Sequence, residues 1–188
     1  MPNTCIIGLG NPGAQYNGTR HNIGKDWVKS IATDSNLELK SKKKIEASIA
    51  ESPDNKILWG YPNNYVNESG HSINKIIKQR KLNLEQVIII HDDLDLPLGN
   101  LKLKIGGGHG GHNGIRDIIN HIGNDFCRIR IGIGRPTNNI PPSKWVLSSF
   151  HRNDFNEWLN ELLSVMANEI EFLHNNNSVE FMNKVAIN

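Results

Sequence analysis

Cys5-Ile-Ile-Gly-Leu-Gly-Asn-Pro-Gly-Ala-Gln-Tyr-Asn-Gly-Thr-Arg-His-Asn-Ile-Gly24 decides between two kinds of α/β fold. Gly8, Gly10 and Gly13 have the G-x-G-x-x-G spacing of a dinucleotide-binding loop, directly after a strand-like run from Thr4 to Ile7. In that fingerprint the helix starts inside the glycine pattern, so that its amides and dipole meet a pyrophosphate. Here Pro12 and the polar stretch Gln15 to Asn22 delay the helix until about Ile23. The result is a long loop at the end of a strand. It carries Asn11, Tyr16, Arg20, His21 and Asn22, all reactive or hydrogen-bonding types. A nucleotide-binding dehydrogenase therefore rests on glycine spacing alone.

Outward from this loop, short β-rich apolar runs alternate with helical patterns, which predicts an α/β layer fold. Strands are expected at Thr4 to Leu9, Ile45 to Ala50, Lys56 to Tyr61, Val87 to His91, Leu101 to Ile105 and Cys127 to Ile133. Helices are expected at Ile23 to Thr33, Ser69 to Lys81, Gly114 to Ile122 and Asn153 to His174. In the last, Phe155, Trp158, Leu159, Leu162, Met166, Ile170 and Leu173 recur at three- and four-residue steps, a packing stripe. Asn175 to Ser178 reads as a break before a short C-terminal helix. Asn138-Asn-Ile-Pro-Pro142 reads as a loop whose prolines exclude a central strand. It is either a lid over neighbouring polar segments or a plain connection.

With 188 residues the chain suits a single domain that buries about two thirds of its unfolded surface. Its two cysteines, Cys5 and Cys127, lie in apolar runs without C-x-x-C spacing, which reads as reduced core residues of a cytoplasmic protein, with a disulfide as the alternative. No basic region precedes a long apolar stretch and no run reaches membrane length, so secretion and membrane insertion are not expected. A net charge of +2 is too mild to mark a nucleic-acid binder; the distribution of charge must decide. The dense run Lys40-Ser-Lys-Lys-Lys44 reads as a solvated loop, with contact to a polyanion as the alternative.

In open α/β sheets, ligands gather beyond the carboxyl ends of the strands. Four polar clusters fall at or near such ends. They are the opening loop, Tyr61-Pro-Asn-Asn-Tyr-Val-Asn-Glu-Ser-Gly70, His91-Asp-Asp-Leu-Asp-Leu-Pro-Leu-Gly99 and Gly106-Gly-Gly-His-Gly-Gly-His-Asn-Gly114. Together they offer a histidine, a carboxylate to orient it and several carboxamides. They lack a nucleophile: neither cysteine lies in a cluster and no serine sits in a G-x-S-x-G turn. That combination suits proton removal from water, with His21 as general base and Asp92 fixing its tautomer. Asn11, Asn67 and Asn113 can donate to carbonyls and accept from amides, which suits a peptide-like group. A metal site built on Asp92, Asp93, Asp95 and histidines is the rival, and no metal-binding spacing supports it.

The Gly106 to Gly114 loop offers amides ahead of a helix, as phosphate cradles do, but lacks the G-K-[ST] ending of a P-loop. Alternation puts Lys102 and Lys104 on one strand face, and pairs Arg128 with Arg130 on another. A solvent-facing surface and a phosphate clamp are both open readings of these rows.

These blocks closely resemble the bacterial peptidyl-tRNA hydrolase family. The matching residues are Gly8-Leu-Gly-Asn-Pro-Gly13, Tyr16, Thr19-Arg-His-Asn22, Asn67-Glu-Ser-Gly70, His91-Asp-Asp-Leu-Asp-Leu-Pro97, Gly106 to Gly114 and Arg128-Ile-Arg-Ile-Gly-Ile-Gly134. They span about two thirds of the chain in the family's order. The resemblance implies one twisted mixed β-sheet with helices on both faces. It implies a monomeric, cytoplasmic, cofactor-free and metal-independent esterase that frees tRNA from prematurely released peptidyl-tRNA. It further implies His21 as base, Asp92 as its orienting carboxylate, and Asn11, Asn67 and Asn113 as positioning groups. Tyr16 would line the site near the 3′ terminal nucleotide, Tyr65 would contact the substrate at the peptide-side wall, and Lys104 with Arg130 would clamp the 5′ phosphate of the acceptor stem. Tyr65-Val66-Asn67 replaces a common Phe-Met-Asn, and Asp93 stands where glutamate is usual. A non-catalytic RNA-binding relative could have lost His21 or Asp92, and both are present.

Overall fold

A computed structural model describes residues 2–137 and 139–151, together with Ser164 and Glu169. Among these, the elements run β1 (Thr4–Gly8), α1 (Ile23–Asp34), β2 (Lys40–Lys42), β3 (Ala47–Glu51), β4 (Ile57–Pro62), α2 (Ser69–Arg80), β5 (Val87–Asp93), β6 (Leu101–Ile105), α3 (Asn113–Ile122), β7 (Cys127–Gly132) and α4 (Pro142–Val146). The expected helix Asn153 to His174, the break after it and Asn138 fall outside the described residues.

The strands form one seven-stranded sheet in the order β2-β3-β4-β1-β5-β7-β6. Its centre, β4, β1, β5 and β7, is parallel. The flanks are antiparallel, with β3 on β4, β2 on β3 and β6 on β7. Residues 87 to 92 of β5 are buried throughout, as a central strand covered on both faces requires. Alternation divides its side chains between two cores. Ile88 and Ile90 join Ile6 under Trp27 and Val28 of α1. Ile89 and Ile7 pack beneath Ile73 and Ile76 of α2 and Ile115 and Ile118 of α3. Each such side chain contributes about 1.5–3 kcal/mol by leaving water. The architecture is thus the mixed α/β sheet with helices on both faces that the sequence predicts.

Four local expectations need correction. Lys40–Lys42 is a strand and Lys43–Ile45 a 3-10 turn, where the lysine run suggests a loop. The strand exists because β3 supplies its partner, pairing Ser41 with Ser48 and Lys42 with Ala47. The next strand starts at Ala47 rather than Ile45, after Glu46 turns the chain with φ 51°. β5 runs two residues beyond His91, so that Asp92 belongs to the sheet, opposite Ile131. After the proline loop, helix α4 begins at Pro142, a residue whose fixed φ suits the first helical position.

The opening glycines serve close approach more than turning. A Cβ on Gly8 would lie 2.1 Å from the Gly24 carbonyl oxygen, and one on Gly24 would lie 2.2 Å from that of Ile90. The first turn of α1 therefore presses directly onto the ends of β1 and β5. Backbone bonds from Leu9 N to Ile90 O and from Lys25 N to Leu9 O hold it there. Gly13, at φ 102°, is the one fingerprint glycine in the left-handed region.

Candidate active site

His21 sits in a 3-10 turn, Arg20–Asn22, that leads straight into α1. Asp92 lies near the end of β5, 2% exposed. Because α1 presses onto that strand end, the two side chains meet. His21 Nδ1 lies 2.9 Å from Asp92 Oδ1 and 3.1 Å from Oδ2. A carboxylate only accepts, so Nδ1 carries the proton and Nε2 keeps a lone pair. Burial lowers the imidazole's affinity for a proton, but the Asp92 charge and hydrogen bond outweigh it and raise the pKa above its ordinary value. Burial likewise pushes the Asp92 carboxyl up, and the charges and hydrogen bonds of His21 and His112 overrule it, holding the carboxyl far below the carboxylate range.

Sequence reasoning missed the role of His112. Its Nε2 lies 3.1 Å from Asp92 Oδ1, while its Nδ1 accepts the Ile115 amide at 3.1 Å as the N-cap of α3. The signal was its position just before an apolar helix, where a side-chain acceptor is wanted. The cap settles the tautomer: an Nδ1 that accepts leaves the ring proton on Nε2, pointing at Asp92. His21, Asp92 and His112 have their potential ligand atoms within 4.8 Å of one another. A metal there would need the His112 Nε2 lone pair while Ile115 claims that of Nδ1, leaving an imidazolate. The arrangement is built for protons. Buried His91 donates Nδ1–H to the Asp92 carbonyl at 2.7 Å, and burial, then repulsion from His112, brings its pKa down to about 3. It stays neutral.

His21, Asp92 and His112 line a cleft of about 320 Å³. Asp93, Leu94, His109 and Asn113 form part of its wall, and Pro142, Ser143 and Val146 of α4 another. Of the three candidate asparagines only Asn113 faces this cleft, from the first position of α3. Asn11 is 8% exposed and locked in place. Its amide donates to Asn22 Oδ1, its carbonyl accepts from Asn22 Nδ2 and Lys25 Nζ, and its Oδ1 accepts the Val66 amide. That leaves the Nδ2 donor as the free end of a rigid carboxamide. Lys25, unremarked in the sequence, holds this carbonyl; burial, then Lys29, lowers its pKa to about 8. Asn67 is exposed on the 3-10 turn Val66–Glu68, which the Asn11 bond fixes. Beside it, Tyr65 is 48% exposed and meets Tyr16 edge to face, ring centroids 6.3 Å apart.

The cationic rows divide. Antiparallel pairing sets Lys102 opposite Arg130 and Lys104 opposite Arg128, so Lys104 and Arg130 are diagonal neighbours on one sheet face. Arg130 Nε donates to Asp93 Oδ2 at 2.7 Å. Arg128 is not a surface cation at all: it is 2% exposed, and its guanidinium donates to the carbonyls of Gly106, Gly107 and Gly108. The glycine loop therefore turns three carbonyls inward onto Arg128, where a phosphate cradle presents amides. Both cysteines are free thiols, and burial pushes Cys5 up to about 12 and Cys127 to about 11. No helix among the described residues is long and apolar enough to cross a membrane.

A family model described as peptidyl-tRNA hydrolase matches residues 5–188. A peptidyl-tRNA hydrolase of Rickettsia canadensis (strain McKiel) is 41% identical over 182 residues, covering 96% of this chain and 98% of the relative. One from Bartonella henselae is 42% identical over 182 residues, 96% and 94% of the two chains. The crystal structure of peptidyl-tRNA hydrolase from Acinetobacter baumannii superposes with a TM-score of 0.90 at 35% identity, over 97% of this chain and 93% of that one. The dinucleotide reading of the opening glycines is thereby set aside, and the chain belongs to the peptidyl-tRNA hydrolase family.

Proposed function

We propose that this chain hydrolyses the ester joining a peptide, or another N-blocked aminoacyl group, to the 3′ end of tRNA, with His21 as general base. The observation that carries the assignment is the His21–Asp92 contact at 2.9 Å, with Nε2 left as the free imidazole nitrogen. Nε2 takes a proton from water as the oxygen attacks the ester carbonyl. Asp92 stabilises the imidazolium that forms, and His112 shares the carboxylate. The tetrahedral intermediate then expels the ribose 3′ oxygen, which recovers the proton from Nε2. The Asn113 carboxamide at the cleft wall is a donor for the carbonyl oxygen or the water, and the Asn11 carboxamide, fixed through Oδ1 by the Val66 amide, offers Nδ2 as a further donor at the edge of the site.

Tyr16, Tyr65 and Asn67 receive the terminal nucleotide, where aromatic faces suit an unpaired base. Lys104 and Arg130 meet the 5′ phosphate of the acceptor stem; the Asp93 bond orients the arginine fork through Nε and leaves its terminal nitrogens for a phosphate. The enzyme acts as a monomer in the cytoplasm, as one catalytic domain over residues 1–188, without metal or cofactor.

The test is peptide release from N-blocked aminoacyl-tRNA. Wild-type protein should turn over in the presence of chelator, and His21→Ala should lose about 10²–10⁴-fold in rate. Turnover abolished by chelator, or a wild-type rate for His21→Ala, would refute the mechanism.

A further inference from the structure

Arg20 precedes the proposed base, yet it takes no part in the proton chemistry above. It is only 2% exposed. Its guanidinium carbon lies 3.7 Å from the centroid of the Trp145 ring and 5.0 Å from that of Phe150. Nη1 donates to Ser148 Oγ at 2.8 Å and to the carbonyls of Ser149 at 2.6 Å and Ser148 at 3.3 Å. The backbone repeats the attachment: Arg20 N donates to Ser148 O, and Thr19 bridges to Ser149. At the far end, Trp145 Nε1 donates to Gly134 O, and Phe150 packs against the α1-side core. Between these fixed points runs α4, whose Pro142, Ser143 and Val146 face the cleft.

A five-residue helix with no fully buried residue has little stability of its own. Among the described residues, the Arg20 side chain is the main side-chain link that holds α4 beside His21, alongside the backbone bonds and the Trp145–Gly134 bond. A buried guanidinium is expensive unless its charge is used. Here the use is geometric: a flat cation that stacks and donates sideways at once, which lysine cannot reproduce.

We infer that Arg20 is a positioning residue, a latch that fixes the α4 wall of the cleft against the turn carrying His21. It sets the distance between the base and the apolar wall on which the acyl part of the ester rests. This assignment rests on the ester-hydrolase reading of the cleft. Its effect falls on substrate binding more than on proton transfer.

Arg20→Met, Arg20→Lys and Trp145→Leu should each speed amide exchange over residues 142–150 by about tenfold, with β5 and α1 unchanged. In the same variants KM should rise roughly tenfold while kcat stays within about threefold. Arg20→Lys should not rescue, and the Arg20→Met/Trp145→Leu double variant should be no worse than either single, as for two parts of one device. Unchanged exchange over 142–150, full rescue by lysine, or a rate loss that merely follows a fall in melting temperature would overturn the latch. Trp145→Leu, outside the central core, keeps the test decisive if the Arg20 variants fail to fold. The exchange measurement needs no activity, so it separates failure of the latch from failure of the ester-hydrolase reading.

Discussion

Asp92 serves two imidazoles with one charge, and the acid limb of the rate profile should report it. Because the carboxylate raises the pKa of His21, kcat/KM should rise with pH through an apparent value above about 6.5, the ordinary one for histidine. Asp92→Asn removes that charge, so the limb should move to lower pH while the maximal rate falls. A limb that stays in place in this variant would detach Asp92 from the base. For the fold the sign is opposite. A carboxyl held below its ordinary range in the folded state stabilises it above about pH 4, and that stability is lost as the pH drops further. His112→Asn separates the histidine's two tasks. Asparagine can still cap α3, but the bond to buried Asp92 is lost, so stability should fall by about 1–3 kcal/mol. Asp92, relieved of one donor, then interacts more strongly with His21, and the limb should shift to higher pH. An unshifted limb would reduce His112 to a cap. His21 and Asp92 were legible from their residue types at strand ends. His112 was not, because its contact with Asp92 needs α3 laid against β5, which no local pattern states.

At the scale of elements, β6 and β7 read correctly as alternating strands, yet alternation could not say which cations meet solvent. Arg128 and Arg130 are two residues apart on the same face, and one is buried while the other lies beside Asp93. The difference arises from the Gly106 to Gly108 carbonyls, which reach Arg128 only after the chain has turned back beyond β6. Lys104→Ala should weaken tRNA binding and lower the slope of log K against log salt by about 1, with short oligonucleotide esters less affected. Equal losses on both substrates would remove Lys104 from phosphate binding. Arg128→Met should instead cost about 2–4 kcal/mol in denaturant unfolding, since several charge-assisted bonds to buried carbonyls vanish together. A salt-slope change in Arg128→Met without loss of stability would reverse the two roles. The short strand β2 was hidden for a similar reason. Its residues are exposed throughout and owe their extended form to pairing with β3.

Across the whole molecule, the site exists because α1 lies in contact with the ends of β1 and β5, with no Cβ between them. Gly24→Ala places a methyl group 2.2 Å from the Ile90 carbonyl oxygen. It should destabilise the protein by about 1–3 kcal/mol and, by shifting the helix three residues after His21, lower activity of the still-folded fraction. A variant as stable as wild type would show that α1 can move without cost. The α/β layering was legible from the alternation of β-rich apolar runs with helical patterns. The contact at Gly24 was not, since a glycine one residue into a helix carries no sign of what approaches it.

The two outermost strands share one property. β2 offers Lys40 and Lys42, and β6 offers Lys102 and Lys104. An outer strand leaves backbone donors and acceptors free to recruit another chain, and lysine is a residue that discourages such growth. With a net charge of only +2, overall repulsion between copies is slight. Among the described residues, lysines at both margins of the sheet thus oppose edge-to-edge growth, with Lys40 sharing its charge with Glu38.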